Sequence, residues 1–170
     1  NLIIYQSETA WVALRELPPG YPSLGPHRHP YTITPKKMLT LLESLEYRES
    51  SFLPFTSSRP RRVFTANQGK MLAQEISKAF GSALSQEVVA FTIADDETPD
   101  RRTKGFTFIV SDELHLIIEE LRRPVYQGEQ NPYQQQLFQW ELLPADRQRL
   151  YTSRPGGKGV IGNWIITPLR

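Results

Sequence analysis

Three histidines are the residues of this chain best suited to chemistry at neutral pH: His27, His29 and His115. His27 and His29 stand two apart in a proline-rich stretch. In extended backbone, side chains at that spacing point the same way, so the two rings are candidate metal ligands. A third ligand must come from elsewhere, and His115 is the only other histidine. A loop histidine pair followed by Pro30 also serves capping and packing, the commoner use of such residues.

Other polar clusters have plain readings. Asp95, Asp96 and Glu97 offer oxygen ligands but lack the glycine and ligand spacing of a calcium loop, and Arg101 and Arg102 stand near enough to neutralise them. Glu119 and Glu120 are adjacent, so on a regular strand they point to opposite faces and cannot work as a carboxylate pair. Ser111 precedes His115 without a nucleophile-elbow context, and no carboxylate is placed to orient the imidazole. The glycine-rich stretch 155–159 lacks the spacing of a phosphate-binding loop and precedes a strand, not a helix. The chain has no cysteine, which excludes thiol nucleophiles, thiolate metal sites and disulfides and suits an exported protein.

The 170 residues fit one domain of ordinary size, in which 39% apolar and 22% charged residues support a buried core without metal or disulfide. With 20 basic and 18 acidic side chains the chain is almost neutral. Its basic residues gather only around Arg59, Arg61 and Arg62, and at Arg101, Arg102 and Lys104, where they read as solvated loop charge. No concentrated basic face for nucleic acid is expected. No apolar run reaches the length of a membrane span.

The elements that position these residues are legible in part. Residues 2–17 read as strand, with Trp11, Ala13 and Leu14 as core, ended by Pro18-Pro19-Gly20. A first helix starts at Thr34-Pro35, with Met38, Leu41, Leu42 and Leu45 on one face, and a short strand follows over 46–52. A second helix starts at Thr65, whose spacing to Gln68 is that of a capping box, and it carries Leu72, Ile76, Ala79, Phe80 and Ala83. Further strands are expected over 87–93, 105–110, 137–143 and 163–168, with 95–104 a charged loop. Residues 114–121 fit a helical period as well as a strand; the short connection at Ser111-Asp112-Glu113 favours a hairpin. The expected fold is a single α+β domain over residues 1–170, a mainly antiparallel sheet with two helices packed on one face. Two long irregular segments interrupt it, one Pro-rich (18–31) and one Gln-rich (126–136).

Three stretches together resemble a group of uncharacterised bacterial exported, lipoprotein-like proteins built as small α+β domains. They are His29-Pro30-Tyr31-Thr32-Ile33-Thr34-Pro35, Arg62-Val63-Phe64-Thr65, and Lys104-Gly105-Phe106-Thr107-Phe108 ahead of Leu114-His115-Leu116. The likeness covers residues 29–120. It implies a cell-envelope setting and supplies neither activity nor site residues.

The function expected from these readings is a non-catalytic accessory or structural subunit of a bacterial envelope or extracellular assembly. Its partners are other protein subunits, with no cofactor and no nucleic acid. The setting is periplasmic, outer membrane-associated or extracellular, with membrane proximity through an N-terminal anchor: Asn1 leads directly into strand, as after removal of a leader or within a longer protein. The partner surface is expected on the two long segments, through Tyr21, Tyr31, Tyr126 and Tyr133, with the termini as further candidates, because tyrosine combines a large ring with a polar tip. A small ligand- or metal-binding domain using His27 and His29 is the alternative, and an unrecognised hydrolase the third reading.

Overall fold

The computed structural model describes residues 1–49, 59–125, 140–153 and 160–170. The Gln-rich segment with Tyr126 and Tyr133, the glycine-rich turn at 156–159 and the strand start at 137–139 lie outside the described residues. In chain order the elements are β1 (Leu2–Gln6), β2 (Ala10–Glu16), α1 (Pro35–Glu43), β3 (Glu46–Glu49), β4 (Arg61–Arg62), α2 (Ala66–Phe80), β5 (Glu87–Ala94), β6 (Arg101–Val110), β7 (Glu113–Pro124), β8 (Trp140–Leu143), β9 (Arg149–Thr152) and β10 (Val160–Pro168).

Seven strands form one sheet in the order β1-β2-β5-β6-β7-β10-β9, and every neighbouring pair is antiparallel. A smaller sheet has the order β4-β3-β8. The fold is α+β, as expected, with both helices on one side of the large sheet. On that side Ala10, Val12 and Leu14 of β2 and Val89, Phe91 and Ile93 of β5 pack with Met38, Leu42, Leu72, Ile76 and Phe80 of the helices. These strand positions alternate, because successive side chains point to opposite faces.

The intervening positions build a second core on the outer face: Val88, Ala90, Phe106, Phe108, Ile117, Trp164 and Ile166. Both faces of the central strands are therefore buried, which is why β5 reads as a nearly continuous apolar run. Among the described residues no helix covers this outer face. Leu17, Tyr21 and Leu24 of the Pro-rich segment pack against it instead.

The helix starts form as their caps dictate. Thr34 Oγ1 accepts from the Lys37 N–H at 3.1 Å, and Pro35 takes a first-turn position where a missing N–H costs nothing. At α2 the Gln68 N–H donates to Thr65 Oγ1 at 3.2 Å while the Thr65 N–H donates to Gln68 Oε1 at 2.9 Å. Gln68 also donates from Nε2 to the Ala94 carbonyl at 2.9 Å, tying the helix start to the end of β5.

Several expectations need correction. Residues 2–17 are two strands, not one, because Ser7 turns the chain by accepting the Ala10 N–H on its hydroxyl and donating its own N–H to the Ala10 carbonyl. The charged loop at 95–104 is shorter, since Arg101–Lys104 already pair with β7 and β5. The hairpin preferred for residues 114–121 is present and needs no correction, with Ser111 in the turn at φ 56°. Trp140–Leu143 joins the small sheet, and β9 is an additional strand at the edge of the large one.

Candidate functional site

All three histidines lie at one end of the large sheet and all three are buried. Phe108 on β6 and His115 on β7 are cross-strand partners, and their rings stack at 5.0 Å and 11°. His27 stacks on Phe108 with ring centres 4.7 Å apart. His29 follows His27 at 5.4 Å and meets Phe80 of α2 edge-on at 5.1 Å. The result is a row of rings running from the end of α2 across the outer face.

Backbone bonds hold the Pro-rich segment in this place. The His27 N–H donates to the Ser85 carbonyl, the Arg28 N–H to the Ile109 carbonyl and the Tyr31 N–H to the Phe80 carbonyl, at 2.8, 2.8 and 2.9 Å. The imidazoles complete the attachment. His27 Nδ1–H donates to the Glu87 carbonyl at 2.9 Å. His29 Nε2 accepts the Ile109 N–H at 3.0 Å. His115 Nδ1 accepts the Trp164 Nε1–H at 3.0 Å.

These partners fix the tautomers, because a carbonyl can only accept and an N–H can only donate. His29 and His115 each have a lone pair committed to a buried donor, so both must be neutral. Burial pushes His29 down to about 4, helped by His27 and opposed by the carbonyls of Leu84 and Glu87. Burial likewise takes His115 down to about 4, with Glu113 opposing and Arg149 and His27 adding to the shift. His29 Nδ1 is buried without a hydrogen-bond partner among the described residues. The lone pair that His29 Nε2 would give a metal is already taken by Ile109. Among the described residues no group of three or more His, Asp or Glu is disposed to hold a metal ion.

The remaining candidates fall into separate interactions. Tyr21 packs edge-on against Phe106 at 5.0 Å and Trp164 at 6.3 Å. Burial, then the nearby Glu119 carboxylate, raises its hydroxyl to about 12. Tyr31 is half-buried against the helix-side core. Tyr126 and Tyr133 lie outside the described residues. A bulge leaves Glu119 as the extra residue between Ile118 and Glu120, a departure from the regular alternation expected there. Glu119 faces Lys104 at 3.5 Å, whereas Glu120 bonds Arg123 at 2.6 Å. Asp95 pairs with Arg122 at 2.9 Å and Asp96 accepts from Thr65, so the acidic cluster is divided between two elements. Arg101 and Arg102, expected to neutralise that cluster, instead donate to the carbonyls of Arg122 and Glu8.

Sequence reasoning missed Phe108 and Trp164 as the centre of the row. The one available signal was register: the hairpin turn at 111–112 places Phe108 opposite His115. A cleft of about 450 Å³ opens beside the row, lined by Leu17, Ser23, Gly25, Pro26, His27, Ser85 and Gln86. No protein-family model, curated protein or solved structure matches the chain.

Proposed function

We propose that this protein is a non-catalytic accessory subunit that joins a larger assembly by accepting an extended strand of another protein along β1. The supporting observation is the contrast between the two edges of the large sheet. At β1, Leu2 and Ile3 are 55% and 51% exposed, and residues 2–6 contain no charge and no proline. Unguarded edges of this kind offer unpaired backbone N–H and C=O groups to an incoming strand. The opposite edge, β9, carries Arg149, whose guanidinium pairs with Glu113. Charge is a common guard of a free edge.

The bacterial envelope setting belongs to the same proposal and rests on the resemblance at 29–35, 62–65 and 104–116. A photo-crosslinking residue placed at Ile3 tests the strand-addition role in the source cells. The expected adduct joins a second protein at Ile3 and is missing from the control positions Leu84 and Val125, which are equally exposed apolar sites. Equal adducts at all three positions, or none at Ile3, overturn it.

A second reading is supported by the cleft beside His27: a small polar ligand held there. Its test is the thermal shift of the purified protein with a panel of small polar compounds, compared with His27→Ala.

A further inference from the structure

We propose that residues 17–31 form an acid-released flap over the outer face of the sheet, held shut by the lone pair of His29. The inference is independent of the strand-addition role. It rests on hydrogen-bond chemistry. The flap is fastened at its far end by Arg28 and His29, which bind the carbonyl and the amide of the same residue, Ile109. An imidazole that accepts an amide N–H cannot take a proton at that nitrogen. A protonated His29 would present Nε2–H to the Ile109 N–H, donor against donor, in a site where the residue is only 8% exposed. Phe80 closes one side of the ring and His27 the other. His115, at the far side of Phe108, is held under the same rule by the Trp164 indole. One proton on His29 therefore removes a fastening of the flap and places a charge among apolar rings; His115 and Trp164 belong to the sheet beneath it.

The charged neighbours do not rescue the cation. The carbonyls of Leu84 and Glu87 favour a charged His29, but burial and His27 outweigh them. The Glu87 carboxylate is turned to the Leu84 N–H at 2.8 Å. Arg28 beside it pairs with Asp112 at 2.7 Å, and Asp112 is shared with Arg170 at 3.5 Å. Around His115 the Glu113 carboxylate is engaged by Arg149. At the near end of the flap, Tyr21 meets Glu119, which is paired with Lys104. Release uncovers Phe106 and Trp164, on which Tyr21 sits, and Phe108, on which His27 sits.

The sign follows from linkage. With the flap open, His29 takes up a proton near the ordinary histidine value; with it closed, near 4. Opening is thus favoured as pH falls from about 6.5, by up to tenfold per pH unit through His29. The window between about 6.5 and 5 lies above the ordinary carboxylate range, and Arg149 holds Glu113 lower still, so Glu113 does not produce a slope there.

Amide hydrogen exchange of residues 17–31, corrected for intrinsic rates, measures the opening constant between pH 7 and 5. The expected result is a flat constant above pH 7, then a rise approaching tenfold per unit. That rise should be cut by one proton in His29→Gln, whose amide oxygen accepts the Ile109 N–H without titrating. A constant that stays flat to pH 5, or a slope unchanged in His29→Gln, overturns the proposal. If His29→Gln does not fold, ring nitrogen NMR of the wild type decides. His29 Nε2 unprotonated in the closed form at pH 5 supports the flap, and His29 protonated at pH 6 with 17–31 still protected overturns it.

Discussion

The indole Nε1–H of Trp164 donates to Nδ1 of His115 across 3.0 Å, inside a core where both side chains are almost fully buried. Each has one group that must be satisfied there, and each satisfies the other. His115→Phe keeps a ring against Phe108 but removes the acceptor, so the indole N–H is left alone. The expected loss is about 1–3 kcal/mol of unfolding free energy. His115→Gln, which can still accept, loses the ring stack but not the hydrogen bond. Denaturant midpoints at constant slope measure both; equal stability of His115→Phe and wild type contradicts the assignment.

Global stability should also fall with acid. His29 and His115 have folded values near 4, below the ordinary 6.5, so the unfolded chain binds more protons between those limits. Their contribution is complete above about pH 7, declines as pH falls through 6.5, and is exhausted near 4. Discounting for solvent left around the rings, the combined loss is roughly 2–4 kcal/mol. Glu113 acts later in the same direction, since Arg149 holds its carboxyl below the usual range and its stabilisation persists until that lower value is reached. Unfolding curves at pH 7.5, 6, 5 and 4 trace the profile, and no decline between 6.5 and 5 contradicts it.

Gly105 has no room for a side chain. A Cβ there would lie 2.3 Å from the Ile117 carbonyl oxygen and 3.0 Å from Phe91 Cζ. The obstacle is backbone, so it cannot swing aside. Gly105→Ala should cost about 3 kcal/mol and disturb the β6–β7 pairing. A variant within about 0.5 kcal/mol of wild type would mean that the strand relaxes freely at its bulge.

Gln68 serves two ends at once, the α2 cap and the Ala94 carbonyl. Thr65→Ala removes the cap acceptor for the Gln68 N–H, at a cost of about 1 kcal/mol. Gln68→Ala should cost more, about 2 kcal/mol, because it also strands a buried carbonyl. Equal losses would show that the tie to Ala94 adds nothing.

Ile3→Lys should change folding stability by less than about 0.5 kcal/mol, because the side chain is largely in water. The same change should block strand addition at β1, since lysine is a common guard of edges. Loss of fold in this variant contradicts the description of Ile3 as a surface residue.

The helices were legible because their signals are local. Thr34 with Pro35, and Thr65 with Gln68, each act within one turn. The alternation of Phe106, Phe108 and Val110 was legible for the same reason. The row of rings was not. His29 meets Ile109, and His115 meets Trp164, across spans of sequence that no periodicity connects. β9 was invisible because Arg149-Leu150-Tyr151-Thr152 is short, starts with a charge and gains its place only by pairing with β10. The start of β6 was misjudged because Arg101, Arg102 and Lys104 carry charge, whereas pairing on both sides is a backbone matter.

The β2–β5 pairing sets neighbours in space that the chain visits at widely separate times: Val12 lies beside Phe91, with the flap, both helices and two strands of the small sheet strung between them. Nothing local brings these two strands together, so the β1–β2 pair joins the β5–β6–β7 strands only after a long loop closes, and closure costs entropy before any pairing offsets it. The molecule therefore belongs with slow-folding, non-local architectures that refold over milliseconds to seconds. Until β5 arrives, β2 has an unpaired side and Trp11 no Thr92 beside it. A newly made chain would spend that interval exposed to wrong partners.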